Sequence, residues 1–429
     1  MNTITPHISE PELAQDNTAV VPQTHPRLER ITSRSMAAMQ FDLSWESATA
    51  RHTECHVATK LNLWRDIFPP EVEADLIDQP AGYRVHHEFK PGSVISPYRE
   101  EDRFTIDHGV FNRYARNHTP IEPRLGRYYP KGFIAGIRDY FIQDLTPFRI
   151  TGIGEDLSVD VNHPLAGRKL GLATRILDIW AASDEHGGRC NDVIEYVLQN
   201  GPGMQARFRN QPTDFWSDAP FSRSAEGPDK DFYESPRFVD HIDATATSQI
   251  EGLYSRLCKR GGSVLDLMAS WKSHLPPSLD LSEVAGLGMN REELGKNPLF
   301  GEKIVQDLNL EPTLPFDNGR FDTVVCTVSV EYLAEPVQVF SEVNRVLKHD
   351  GRFIITFSNR WFPPKVVKIW KELHEFERPG LVLEYFLKSG GFTGLETWSM
   401  RGLPRPADDK YADRLASSDP VYAVWGTKS

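Results

Sequence analysis

GSVLDLMASWKSHLP, residues 262–276, decides the fold class. Its apolar run at 263–268 contains a single acidic residue, Asp266, and is followed by a loop of small and polar residues. A short apolar run of this kind predicts a strand buried on both faces. In a doubly wound parallel sheet, a ligand binds at the carboxyl end of such a strand. We therefore expect a ligand site in the loop that begins at Met268.

The chain after this segment alternates between predicted strands and helices. Apolar runs predict strands at 284–289, 303–306, 321–329 and 352–358, and helical patterns lie between them at 291–296 and 337–347. A helix is predicted before the segment at 239–259, and two final antiparallel strands at 392–398 and 421–427. Alternation of strands and helices indicates an α/β domain with a mostly parallel sheet.

Five stretches of this region resemble one family: VLDLMASWKSHLP, VAGLGMN, QDLN, LPFDNGRFDTVVCTVSVEYL and EVNRVLKHDGRFIITFSN. Together they are similar to a class I S-adenosylmethionine (SAM)-dependent methyltransferase of the type 11 kind, from about residue 238 to the C-terminus. The resemblance implies a Rossmann-like sheet, SAM as the cofactor, and a small molecule or a protein side chain as the methyl acceptor.

The first loop of this family normally reads acidic-x-Gly-x-Gly, because glycine lets the backbone approach the cofactor closely. Here Asp266 is kept, whereas Met268 and Ser270 replace the glycines. The acidic residue that usually ends the second strand is Gly288, and Asp307 matches the position that contacts the adenine amino group. The cofactor-binding residues implied by the resemblance are Asp266, Met268, Ala269, Ser270, Asn290, Asp307, Leu308 and Thr327.

Catalysis is predicted in the loop after the fourth strand, where Glu331 and Tyr332 stand at positions that many relatives fill with histidines facing the acceptor. Glu331 would accept a proton from the acceptor, and Tyr332 would line the site or hydrogen-bond to the substrate. Alternatively, Glu331 begins a solvated helix and Tyr332 packs on it. The loop containing Trp271 either closes over the cofactor or fills its space.

The first half of the chain has a different pattern, with alternating or apolar strands at 83–89, 148–153, 157–161 and 170–179 and no crossover helices. This pattern predicts a smaller, mostly antiparallel β domain. FRITGIGEDLSVDVNHPLAGRKLGLATRILDI resembles an FKBP-type prolyl isomerase of the SlyD kind, which implies a peptide-binding module with an inserted domain. Leu172 replaces the aromatic residue expected in the last strand.

We accordingly divide the chain into four parts. Residues 1–57 form a disordered or loose arm, 58–180 the SlyD-like β domain, 181–237 a connector rich in aromatic residues, and 238–429 the methyltransferase-like domain. The connector either covers the cofactor end of that domain or joins the two domains through anchoring aromatic residues.

The composition limits the possible partners. A formal net charge of -12 disfavours broad binding to nucleic acid or anionic membranes. The four cysteines are widely separated, as free thiols in a reducing compartment would be. The N-terminus has no secretory signal and no apolar run reaches 18 residues, so we expect a cytoplasmic protein. The scattered histidines lead us to expect no metal site.

Three functions are compatible with these features. The first is a SAM-dependent methyltransferase with an N-terminal peptide-binding module, acting on a small-molecule or peptide substrate. The second is a catalytically inactive scaffold or chaperone-like binding protein that keeps the methyltransferase fold without the cofactor. The third is a peptidyl-prolyl isomerase, which needs an apolar aromatic pocket around the twisted imide bond.

Overall fold

The computed structural model describes residues 7–8, 25–115, 120–182, 190–198 and 201–429. Its strands are β1 (His7–Ile8), β2 (Met36–Glu46), β3 (Arg51–Asn62), β4 (Arg84–Phe89), β5 (Arg103–Ile106), β6 (Tyr128–Pro130), β7 (Pro147–Ile153), β8 (Leu157–Asp160), β9 (Leu170–Trp180), β10 (Ser263–Leu267), β11 (Glu283–Gly288), β12 (Glu302–Val305), β13 (Phe321–Thr327), β14 (Leu347–Phe357), β15 (Arg360–Trp361), β16 (Phe392–Arg401) and β17 (Val421–Lys428).

The α-helices are α1 (Pro70–Leu76), α2 (Val193–Leu198), α3 (Asp229–Tyr233), α4 (Ala244–Leu257), α5 (Arg291–Lys296), α6 (Pro336–Val346), α7 (Lys368–Glu372) and α8 (Glu377–Ser389). Short 3₁₀ turns occupy Glu100–Asp102, His108–Val110, Lys131–Ile134, Pro277–Leu279 and Val330–Tyr332. Helix α4 begins at Ala244 because the Asp243 side chain accepts a hydrogen bond from the backbone N–H of Ala246.

The mixed α/β fold predicted for the C-terminal half is confirmed. Strands β12, β11, β10, β13 and β14 lie side by side in that order and are all parallel, and antiparallel β17 and β16 follow. All five residues of β10 are buried, as its apolar run predicts. The carboxyl ends of five parallel strands therefore meet along one edge of the sheet.

The same sheet continues into the N-terminal half. Strand β3 pairs with β16 in parallel, and β2, β9 and β4 follow it in antiparallel pairs, so that one sheet contains eleven strands. The structure thus differs from the predicted boundary between a separate β domain at 58–180 and an α/β domain. The sequence pattern predicted β4 and β9 but neither β2 nor β3, and it did not show the pairing of β3 with β16, because strand pairing depends on contacts distant in sequence.

The prediction of a disordered or loose arm over 1–57 is wrong for residues 36–57, which belong to β2, β3 and the turn between them. Phe41, Leu43 and Trp45 alternate with polar residues and are nearly fully buried. This period of two is typical of a strand with one face on a core, and the polar residues between them obscured it. Residues 1–6 and 9–24 of the predicted arm lie outside the described residues.

A second antiparallel sheet lies in the chain between β4 and β9. Its strand order is β5, β8, β7 and β6, and its own core contains Phe111, Tyr129, Phe133 and Phe148. The antiparallel strands predicted near 148–153 and 157–161 are confirmed here as β7 and β8. This four-stranded insert, described over residues 99–115 and 120–161, is a distinct small core attached to the large sheet.

Candidate functional site

A cavity opens at the carboxyl ends of the parallel strands and contains about 1400 Å³ of empty space, its open mouth included. The eight residues predicted to hold a cofactor all line it, and so does Tyr332: Asp266, Met268, Ala269, Ser270, Asn290, Asp307, Leu308, Thr327 and Tyr332. The first and the last of these residues are more than 60 positions apart in the sequence, and the parallel sheet brings them together. This edge of an open parallel sheet is the usual position of a ligand site.

Glu331 is the predicted residue that the structure does not bring to the cavity. The 3₁₀ turn at Val330–Tyr332 buries Glu331, of which 1% is exposed. Neither of its carboxylate oxygens has a hydrogen-bond partner among the described residues. Burial raises the pKa of Glu331 to about 8, although Arg378 opposes the shift. Glu331 is therefore protonated at neutral pH and does not reach the space where an acceptor would bind.

The loop after β10 adopts a backbone that normally requires glycine. Met268 has a φ of 58°, and Val328, at the end of the neighbouring strand β13, has a φ of 48°. Positive φ is uncommon for a side chain like methionine and an outlier for β-branched valine. Both residues line the cavity, and the Ser329 hydroxyl donates a hydrogen bond to the Met268 carbonyl over 3.5 Å. Strained backbone of this kind is concentrated at functional sites.

Gly288 has no side chain because the loop after β10 occupies the space in front of it. The Ala269 N–H donates to the Leu287 carbonyl over 2.7 Å, which draws the loop against the end of β11. A Cβ atom on residue 288 would lie 2.0 Å from the Ala269 carbonyl oxygen. An acidic side chain at this position is sterically excluded, so any ribose contact has to come from elsewhere.

Asn290 stabilises the wall of the cavity. Its side-chain oxygen accepts hydrogen bonds from the N–H groups of Glu292 and Glu293 and caps α5. Its amide nitrogen donates to the carbonyls of Tyr233 and Glu234, each over 2.9 Å. These four bonds use the hydrogen-bonding capacity of the side chain, so Asn290 supports the cavity rather than offering a free amide to a ligand.

Two aspartates differ in their environment. Asp266 is buried, which raises its pKa to about 7 against a hydrogen bond donated by the Ser273 hydroxyl over 2.8 Å. Asp307 is partly exposed, and burial raises its pKa while its Oδ1 accepts from the Asn309 N–H over 2.9 Å. The cavity thus carries one carboxyl group close to its titration point and a second one nearer the solvent.

The connector forms another wall, with Asp229, Tyr233 and Arg237 lining the cavity. Asp229 makes ion pairs with Arg223 over 2.6 Å and with Lys365 over 2.8 Å, and it accepts a hydrogen bond from Asn309 over 2.8 Å. A buried carboxylate held by two cations has little freedom to move. Trp271 packs near this wall, where its Nε1 donates to the Val239 carbonyl over 3.3 Å.

The cavity residues that sequence reasoning missed include His241, Arg360 and Phe362. His241 lies in the segment before α4, and burial lowers its pKa to about 4. Its Nδ1 has no hydrogen-bond partner among the described residues, and its ring meets Phe362 edge to face at 5.3 Å. Arg360 and Phe362 could have been found from the sequence, because the SNRWF stretch that contains them directly follows β14 and so lies at the same sheet edge as the other site residues.

Two further observations concern the whole described chain. Across residues 7–8, 25–115, 120–182, 190–198 and 201–429, three or more His, Cys, Asp or Glu side chains do not come together in a way that would hold a metal ion. Within the same ranges, each helix is too short or too polar to cross a membrane.

A family model described as "Methyltransferase domain" matches residues 278–355, which include β11 to most of β14. This match supports a SAM-dependent methyltransferase with S-adenosylmethionine as the cofactor. No curated protein matches the chain.

Solved structures similar to the chain include a putative methyltransferase in complex with the Haloferax volcanii Trm112 methyltransferase activator, at 18% identity and a TM-score of 0.33, covering 43% of this chain and 89% of that one. The YcgJ protein from Bacillus subtilis matches at 15% identity and a TM-score of 0.29, covering 43% and 98%. A SAM-dependent methyltransferase from Mesorhizobium loti matches at 16% identity and a TM-score of 0.29, covering 42% and 98%.

The contact between Gly288 and Ala269 predicts the effect of a single methyl group. Gly288→Ala should lower the free energy of unfolding by about 1–3 kcal/mol, because the added Cβ forces the loop after β10 away from β11. Gly295→Ala is the matched control, since a Cβ on this residue of α5 meets no atom within 4 Å. The control should be neutral or stabilising by up to about 1 kcal/mol. Urea unfolding of both variants measures the difference, and equal stabilities would contradict the close approach.

The buried Glu331 predicts a pH-dependent stability. Folded Glu331 keeps a proton that the unfolded chain loses above its ordinary pKa, so this residue makes the free energy of unfolding fall as pH rises towards about 8. Glu331→Gln has no such proton, and its stability relative to wild type should increase by a few kcal/mol between about pH 5 and pH 8. Urea unfolding of the wild type and the variant at several pH values between about 5 and 8 measures this difference in the free energy of unfolding. Glu311→Gln, which makes the same substitution at an exposed position, is the matched control.

Proposed function

We propose that the protein is a SAM-dependent methyltransferase that acts on a small molecule. The observation that carries this proposal is the position of the eight predicted cofactor residues around one cavity, at the edge where the parallel strands end. The family match over residues 278–355 supports it independently. Departures from the usual glycine loop do not close the cavity, because Met268 takes the positive φ that glycine would adopt.

The cavity residues are suited to the parts of this cofactor. Asp307 would accept a hydrogen bond from the adenine amino group, and the buried Asp266 lies where the methionine part would bind. Glu293 replaces the missing acid of β11 as the ribose contact. It lies in the first turn of α5, lines the cavity, and is oriented by hydrogen bonds from the Ser270 hydroxyl and the Arg237 N–H, each over 2.6 Å.

When bound, S-adenosylmethionine would supply an electrophilic methyl group, and the main task of the chain is to align an acceptor with it. Tyr332 fixes one side of the acceptor space, because its hydroxyl accepts the Phe362 N–H over 2.9 Å. His241 is better placed than Glu331 to form a hydrogen bond with the acceptor. It lines the cavity and is neutral at physiological pH, whereas Glu331 is buried outside the cavity and protonated.

Cofactor binding tests this function directly. Isothermal titration of the protein with SAM and with S-adenosylhomocysteine should give saturable binding of each. Asp307→Ala should weaken the binding of S-adenosylhomocysteine by about 10- to 100-fold, because it removes a hydrogen bond to a charged acceptor. Glu311→Ala, which removes an exposed carboxylate four residues away, should leave the affinity unchanged. No heat with either compound would favour the catalytically inactive scaffold.

A second function is proposed for the N-terminal half on the basis of its surface. Five large hydrophobic residues of the four-stranded insert are exposed: Tyr114, Phe141, Ile142, Leu145 and Ile153. Exposed apolar side chains concentrated in one small unit suggest binding of an extended or unfolded polypeptide. Leu172, at the expected aromatic position, is fully buried in the core of the large sheet, which favours peptide binding over prolyl isomerisation.

Capture of an unfolded protein tests this second function. Reduced, carboxymethylated lactalbumin should bind the wild-type protein, and the double variant Phe141→Ser, Ile142→Ser should bind it several-fold more weakly, because each serine removes exposed apolar contact area. Leu310→Ser is the matched control, since Leu310 is 79% exposed but lies outside the insert. Equal loss in the control and the double variant would show that the insert has no special role.

A further inference from the structure

The cavity has two ends that differ in the strands that form them. The predicted cofactor residues from 266 to 270 lie at the end of β10 and in the loop after it, and those from 307 to 308 follow β12, so that both groups are on one side of β13. Arg360 and Phe362 follow β14, on the other side of β13. If the proposed function is correct, the cofactor occupies the first side and the methyl acceptor the second. The side chains beyond β14 therefore determine which acceptor is bound.

Arg360 is an unusual residue to find in this wall. Only 3% of it is exposed, yet it lines the cavity. Its Nε lies 2.9 Å from Asp419 Oδ1 in an ion pair, and its guanidinium lies 4.5 Å from the ring centre of Tyr411. Its Nη2 is buried without a hydrogen-bond partner among the described residues. A buried guanidinium N–H without a partner is costly, which makes this group a ready donor for an incoming anion.

Asp419 cannot fully satisfy Arg360, because it is shared with other groups. Arg405 Nη2 donates to the same Asp419 Oδ1 over 2.6 Å, and the Asp243 N–H donates to its Oδ2 over 3.0 Å. Arg405 is bound in addition by Asp409 over 3.0 Å. These contacts hold Asp419 in place, and Asp419 does not line the cavity whereas Arg360 does, so Asp419 orients the guanidinium and leaves Nη2 for another acceptor.

The rest of this end of the cavity is aromatic. Phe362, Tyr332 and Tyr233 line it, with 6.1 Å between the ring centres of Tyr332 and Phe362. His241, whose Nδ1 has no partner among the described residues, stands against Phe362. Flat apolar walls favour a planar ligand, and a neutral imidazole offers it a hydrogen bond.

From this arrangement we infer that the acceptor end binds a small planar molecule that carries a carboxylate, with the carboxylate on Arg360. A guanidinium presents two parallel N–H groups that match a carboxylate in geometry and charge. The carboxylates of Asp240, Glu293 and Asp307 also line the cavity, and their repulsion disfavours a doubly charged phosphate more than a singly charged carboxylate. The same carboxylates would attract a cationic amine, which is the alternative class of ligand.

Three probes with the same ring separate these possibilities. Benzoate, benzamide and benzylamine are anionic, neutral and cationic, and each is titrated into the wild-type protein saturated with S-adenosylhomocysteine. Benzoate should bind about tenfold more tightly than benzamide, because only benzoate forms a charge-assisted pair with Arg360. Equal binding of benzoate and benzamide, or preferential binding of benzylamine, would overturn the inference.

Variants of Arg360 test whether this residue causes the preference for benzoate. Arg360→Gln should abolish the preference for benzoate over benzamide, and Arg360→Lys should keep part of it, because lysine keeps the charge but not the paired N–H groups. Unchanged affinity for S-adenosylhomocysteine shows that each variant is folded. If a variant loses its affinity for S-adenosylhomocysteine, the inference is judged only by whether the wild-type protein binds benzoate more tightly than benzamide and benzylamine. Absence of S-adenosylhomocysteine binding in the wild type would instead overturn the proposed function, and the probes are then compared on the protein without it.

Discussion

The contact between the Ala269 carbonyl and Gly288 is the constraint on which the ligand-binding edge of the sheet depends. It brings the loop after β10 against the end of β11, and this places Met268 in a left-handed conformation at the cavity. The side chains in the loop and the glycine in the strand are thus linked. Residue 288 has to be glycine because the strand must lack a side chain where the two backbones meet.

Buried ion pairs hold the segments outside the sheet over the cavity. Asp229 anchors the connector through Arg223 and Lys365, while Asp243 and Asp419 join the start of α4 to the loop before β17 through Arg405. Desolvation makes such pairs weak contributors to stability, but losing one partner leaves a charge buried without compensation. They therefore specify one arrangement of the walls more than they add to the free energy of folding.

The sequence predicted the elements of the C-terminal sheet well because turns separate their short apolar runs from one another. Strand β10 and helix α5 lie where their patterns predict, and the cofactor residues assigned by motif position all reach the cavity. The pairing of β3 with β16 was not predictable, since 345 residues separate Arg51 from its partner Glu396. The role of Gly288 was equally hidden, because it depends on a backbone contact with the loop after another strand.

The protonation states of Glu331 and His241 show why residue type alone does not predict which groups are charged near the cavity. A glutamate directly after a strand suggests an ionised base, and a histidine before a helix suggests nothing in particular. Burial reverses these expectations: it disfavours the charged form of both groups, raising the pKa of Glu331 and lowering that of His241. At neutral pH the carboxyl group holds a proton and the imidazole does not. The fold therefore leaves a neutral imidazole at the cavity as a hydrogen-bonding group and removes Glu331 as an ionised base.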